Sequence, residues 1–108
     1  MSFLKQFNFD IRGPEDGPKL VFLHGLMGSW TNWRRIFADF ETSYRILSFD
    51  QRGHGKSLRP DDGYAPEDFA GDLVTILKEL GWQTVRLVGH SMGGRNALVF
   101  AAQNPGMV

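Results

Sequence analysis

A serine flanked two places to either side by glycine, in Gly89-His90-Ser91-Met92-Gly93, stands between an apolar strand-like run, Thr84-Val85-Arg86-Leu87-Val88, and an apolar helix-like run from Ala97 to Ala102. A chain that turns from strand to helix around one residue forces that residue into a strained backbone conformation. Side chains two positions away would then collide unless they are glycine. Such a corner pushes the Ser91 hydroxyl outward, which makes Ser91 a candidate nucleophile. Because the helix starts at once, the N–H of Met92 and the positive end of the helix dipole point to where negative charge would develop on a reacting carbonyl. Ser91 can also be read as a plain helix N-cap, a position that serine favours without any chemistry. The rest of the chain decides between the two.

Upstream, Leu4 to Ile11 alternates loosely between apolar and polar residues and predicts a half-exposed strand, which the turn residues Gly13-Pro14-Glu15-Asp16-Gly17-Pro18 end. Lys19-Leu20-Val21-Phe22-Leu23 is a continuous apolar run up to His24-Gly25, the pattern of a strand buried on both faces. Trp30, Trp33, Ile36, Phe37 and Phe40 fall at helical spacing, so a helix is predicted from about Thr31 to Phe40, with the tryptophans as packing residues. A strand follows over Tyr44 to Phe49, then a glycine-bearing loop. Pro66 suits a first helical turn, Phe69, Leu73, Ile76, Leu77 and Leu80 share one face, and Gly81 stops the helix. The last strand is expected over Val85–Val88 and the last helix to end near Asn104-Pro105. Alternating strands and helices imply an α/β fold with a mostly parallel sheet. Leu20–Leu23 and Val85–Val88 are expected to be adjacent, parallel strands of a mixed four-stranded sheet.

Composition removes several function classes. Lys and Arg number 12, as do Asp and Glu, and the two signs are interspersed. No electrostatic footprint for nucleic acid or an anionic membrane results. The absence of cysteine excludes disulfides, thiolate metal sites and a cysteine nucleophile. No stretch is long and apolar enough to span a bilayer, so the expectation is a soluble, cytoplasmic protein. Gly55-Lys56-Ser57 ends like a phosphate-binding loop, but the glycine needed five residues earlier is Asp50.

His24-Gly25-Leu26-Met27-Gly28, Asp50-Gln51-Arg52-Gly53-His54-Gly55-Lys56-Ser57 and Gly89-His90-Ser91-Met92-Gly93-Gly94 together resemble, in order and spacing, the oxyanion loop, the following strand-end loop and the nucleophile elbow of a serine esterase of the α/β-hydrolase superfamily. The resemblance covers about residues 19 to 105 and implies the N-terminal part of a single, incomplete α/β-hydrolase domain spanning 1–108, with flanking helices and without the C-terminal strands. It implies acyl transfer on an ester or similar small-molecule carbonyl substrate, with Ser91 as nucleophile. The N–H groups of Leu26 and Met92 would be the oxyanion donors, and no cofactor or metal is needed.

That family needs an acid and a histidine after the serine, yet no residue beyond Ser91 is Asp, Glu or His. The expectation is therefore a fragment whose last strand is an uncovered sheet edge. Of the three histidines, His24 reads as a structural residue orienting its own loop, His90 as diverging from Ser91 at the corner, and His54 as exposed. The competing reading is a non-catalytic binding or interaction protein, or an inactive fragment, on the same scaffold.

Overall fold

The computed structural model describes residues 3–108. Four strands, β1 (Phe9–Arg12), β2 (Lys19–Leu23), β3 (Arg45–Phe49) and β4 (Arg86–Gly89), form one sheet in the order β1-β3-β2-β4. β1 runs antiparallel to β3, while β2 is parallel to both β3 and β4. The register sets Leu20 opposite Arg86 and Leu23 opposite Gly89, so β2 and β4 are the adjacent parallel strands expected from the sequence.

The pleat sorts the central strands onto two faces. Leu20, Phe22 and Ile46 face one side, where Phe37 of α1 (Arg34–Phe40) covers them together with Trp30, Trp33, Phe40 and Tyr44. Val21, Leu23, Leu47 and Phe49 face the other, against α2 (Pro66–Leu80) and Phe100 of α3 (Met92–Gln103). The result is a sheet sandwiched between helices, and Trp30 and Trp33 are packing residues as expected.

Helix limits follow local chemistry. At the start of α2, Pro66 occupies the first turn and the Asp68 carboxylate accepts the Ala65 N–H at 3.0 Å. At its end Gly81 adopts φ 73°, and the Trp82 N–H returns to the Leu77 carbonyl at 2.9 Å. The segment expected to be one helix over Thr31–Phe40 begins instead with a 3-10 turn, Trp30–Trp33, because Ser29 and Asn32 cap it: the Asn32 side chain accepts the Ser29 N–H at 2.9 Å.

The N-terminal segment departs further from expectation. Leu4–Gln6 forms a 3-10 turn, and the strand is confined to Phe9–Arg12. Leu4 and Phe7 are both buried, at 0% and 4% exposure. Residues three apart lie on opposite faces of a strand but on one side of a 3-10 turn, so burying both selects the turn.

β4 pairs with β2 on one side alone, leaving a sheet edge beside a groove of about 470 Å³ walled by Phe22, Ile36 and Val88. Ile36, placed on the buried stripe by its spacing, is 38% exposed there. Among the described residues no helix is long and apolar enough to cross a membrane. An open edge with an apolar flank invites pairing with another chain. Sedimentation velocity on residues 1–108 is expected to reveal concentration-dependent association that Val88→Lys reduces. A monodisperse wild-type monomer with a sharp near-UV dichroism signal would contradict this.

Candidate functional site

The corner after β4 is built by close backbone approach. The His90 N–H donates to the Leu23 carbonyl at 3.1 Å, carrying the β2–β4 ladder one residue past the strand. The chain then reverses into α3, with the Gly93 N–H bonding the His90 carbonyl at 2.9 Å and the Arg95 N–H the Ser91 carbonyl at 3.1 Å. A Cβ on Gly93 would overlap the Leu23 carbonyl oxygen and lie 2.6 Å from that of His24. A Cβ on Gly89 would lie 2.5 Å from the Gly93 carbonyl oxygen. The glycines are therefore required by contact, as the sequence pattern implied.

Ser91 itself has φ 55° and ψ −116°, a region that side-chain-bearing residues rarely enter and that costs about 1–3 kcal/mol. It is exposed and makes no side-chain cap to α3, so the plain N-cap reading fails. Its hydroxyl has no hydrogen-bond partner among the described residues.

Leu26 and Met92 both line one cleft of about 590 Å³ at the carboxyl ends of the parallel strands, where open α/β sheets bind their ligands. Leu26 follows β2 in a loop where the Gly28 N–H closes on the Gly25 carbonyl at 3.0 Å and Met27 takes φ 61°. Met92 is the first residue of α3. Neither the Leu26 nor the Met92 N–H has a partner among the described residues.

Beneath the cleft lies a buried polar floor. The His24 ring is fully buried: its Nδ1–H donates to the Gly25 carbonyl at 2.7 Å, and its Nε2 accepts the Gln51 N–H at 2.9 Å. Those two bonds select the neutral tautomer with the proton on Nδ1. Burial pushes its pKa below the ordinary 6.5, although the Gly25 bond opposes this; the charge of His54 adds to the depression and that of Asp50 counters it. The Gln51 side chain donates to the His24 carbonyl and accepts from the Asn96 amide, both at 2.9 Å, tying the loop after β3 to α3. His24 is thus the structural histidine that was expected.

Asp50, also buried, accepts N–H bonds from Trp30 at 2.9 Å, from Lys56 at 3.0 Å and from the Asn8 amide at 2.9 Å. Its oxygens are occupied by these donors and not by a histidine. His54 is half-buried where exposure was expected: its ring centroid lies 4.9 Å from that of His24, and its Nδ1 is 3.0 Å from the Arg52 carbonyl. His90 lines a second cleft with Trp33 and Ile36, and it makes no hydrogen bond to Ser91 among the described residues.

Sequence reasoning missed Asn96, Arg59 and Arg95. Asn96 is 1% exposed, and its signal was a polar residue one turn before Phe100 on an otherwise apolar helix face. Arg59 and Arg95 line the cleft, but a charged residue on a loop or in a first helical turn reads simply as surface.

Comparison with known proteins matches residues 18–108 to the family described as "alpha/beta hydrolase fold". An sn-1-specific diacylglycerol lipase of Mus musculus is 44% identical over 94 residues, 84% of this chain and 30% of that one. Epoxide hydrolase 1 of Caenorhabditis elegans is 36% identical over 98 residues, 89% of this chain and 24% of the relative. The structure of a marine microorganism esterase superposes with a TM-score of 0.89 at 38% identity, covering 94% of this chain and 38% of the other. The chain thus spans well under half the length of these relatives.

Gly93→Ala is expected to destabilise the chain by at least about 3 kcal/mol, the upper end of overpacking costs, with Gly71→Ala, whose Cβ would meet nothing within 4 Å, as the control in urea melts. His24 supplies a second test. Its folded pKa is depressed, so below the ordinary 6.5 the unfolded chain takes up a proton that the folded one refuses. Stability is then full above that pH and falls as pH drops through 6.5 toward the folded pKa. The urea midpoint is expected to drop on acidification, and the drop to shrink in His24→Asn.

Proposed function

The chain belongs to the alpha/beta hydrolase family, and from that premise we propose that Ser91 is the nucleophile of a serine hydrolase acting by acyl transfer on an ester or similar carbonyl substrate. The observation that supports the reading is an exposed hydroxyl at a strained corner, without a partner among the described residues, beside a cleft lined by Leu26 and Met92, whose N–H groups likewise have no partner among those residues.

In this reading the Ser91 Oγ adds to the carbonyl carbon as its proton passes to a base, and the C=O electron pair moves onto oxygen. The Leu26 and Met92 N–H groups stabilise that oxyanion, aided by the α3 dipole. Collapse expels the alcohol, which takes up the proton. Water then repeats the addition on the acyl-serine, releasing the acid and restoring the hydroxyl.

The named relatives act on different electrophiles, and the nucleophile's chemistry favours one kind. A serine opened onto an epoxide would form an ether, which has no carbonyl for water to attack, so the enzyme would be consumed. A serine acylated by an ester forms an ester, which water cleaves. The hydroxyl at position 91 therefore supports carbonyl substrates over epoxides.

A non-catalytic scaffold is the second reading, and one observation favours it for residues 1–108 alone. None of the described histidines is bonded to Ser91: His24 has both nitrogens engaged, and His90 lines the other cleft. A lone serine hydroxyl is a weak nucleophile near neutral pH.

Initial rates on p-nitrophenyl butyrate test both readings. Residues 1–108 alone are expected to give no turnover above a Ser91→Ala control. Joined to a segment supplying an acid and a histidine, the protein is expected to turn over, and Ser91→Ala to remove at least about a thousandfold of kcat/KM. Turnover that survives Ser91→Ala would defeat the nucleophile assignment. Ser91-dependent turnover by residues 1–108 that His54→Ala abolishes would make His54 the base.

A further inference from the structure

Charge in the cleft beside Ser91 is of one sign. Arg59 and Arg95 line it, and among the described residues no carboxylate does. The buried acids are committed elsewhere: Asp50 to its N–H donors, and Asp72 to a two-pronged pair with Arg52 at 2.7 Å. Arg59 is also spoken for, since its guanidinium donates to the Gly53 and Gly55 carbonyls at 2.7 Å each. Arg95 is different. It stands four residues after Ser91 in the first turn of α3, and its guanidinium has no hydrogen bond or ion pair among the described residues. A helical side chain leans toward its N-terminus, which brings Arg95 toward the Ser91 end. A cation there opposes the helix dipole, and no ion pair offsets the cost. The rest of the wall holds the apolar side chains of Leu26, Met27, Phe69 and Met92 beside the polar ones of His54 and Tyr64.

We infer that the substrate acted on at Ser91 carries an anionic group, carboxylate or phosphate, gripped by the Arg95 guanidinium while its apolar body rests on Leu26, Met27 and Met92. The inference rests on the acyl-transfer reading and names its substrate class. A guanidinium presents parallel N–H donors that match either oxyanion, and such charge-assisted pairs are roughly twice as strong as neutral ones. Arg95 is thereby a specificity residue, and Arg59 a stiffener of the loop carrying Gly53 and Gly55 on the same cleft.

The test is binding, so that it does not depend on turnover. Saturation-transfer NMR titrations use the dilute Ser91→Ala chain with monomethyl succinate, with dimethyl succinate as the same ester uncharged, with 2-acetoxyethyl phosphate, and with acetylcholine as the ester of opposite charge. The expected result is binding of at least one anionic ester at least about tenfold tighter than dimethyl succinate, and exclusion of acetylcholine. Arg95→Gln is expected to erase that difference and Arg95→Lys to keep part of it. The tighter of the two anions identifies the headgroup. Equal binding of charged and uncharged esters, no binding of any ester, or a preference that survives Arg95→Gln overturns the inference. Failure of the nucleophile assignment appears separately, as turnover that survives Ser91→Ala.

Discussion

The contact on which the rest depends is that between the first turn of α3 and the carboxyl end of β2, where Gly93 sits against the carbonyls of Leu23 and His24. With no Cβ in the way, the helix starts so near the sheet that one residue must absorb the whole change of direction, and Ser91 does so at φ 55°. The cost of that conformation is about 1–3 kcal/mol. It is comparable with what burying a single large apolar side chain contributes, about 1.5–3 kcal/mol, and α3 buries Phe100 completely. The packing that seats the helix is therefore enough to hold the corner. The serine cannot relax unless the helix lifts off β2.

A second constraint is that strand ends expose backbone donors and acceptors just where the cleft needs a rigid floor. Asp50 meets this with one carboxylate that collects N–H groups from three segments: Asn8 before β1, Trp30 before α1 and Lys56 in its own loop. His24 and Gln51 do the same between β2 and the loop after β3, and Asn96 extends the chain of bonds to α3. Buried polar groups hold a site only when their bonds are made. This network is nearly complete, with the Asn96 Oδ1 its one open acceptor among the described residues. The same saturation explains why neither Asp50 nor His24 is available to move a proton.

How legible this was in the sequence varies with the kind of interaction. β2, β3 and α2 were readable because burial on both faces or on one helical stripe writes itself as apolar runs and spacing. The corner was readable because its steric demand selects glycine at 89 and 93. Leu4 to Phe7 was misread because loose alternation looks like a strand when burial of the i and i+3 pair is what decides. His54 was misread because a glycine-rich loop suggests exposure, whereas the loop folds back onto His24. Asn96 and Arg95 were invisible for opposite reasons: one is a polar side chain satisfied by a residue 45 positions away, the other a charge whose meaning lies in having no partner.

In the proposed reading the cleft uses positive potential in two ways that differ in when they act. A guanidinium facing a substrate's fixed anion makes the same contact before and during bond formation, so it strengthens ground state and transition state alike. Such uniform binding lowers KM and leaves kcat nearly unchanged. The N–H groups of Leu26 and Met92 meet an oxygen whose charge grows only as Ser91 adds to the carbonyl, so their effect falls on kcat. The two are also built differently. Backbone donors held between β2 and α3 are fixed before substrate arrives and need no reorganisation, while Arg95 is a long, exposed side chain that must lose rotamer freedom to engage. Selecting the substrate is thus assigned to a side chain that substitution can change without disturbing the fold. Stabilising charge is assigned to backbone that cannot be altered without undoing the corner.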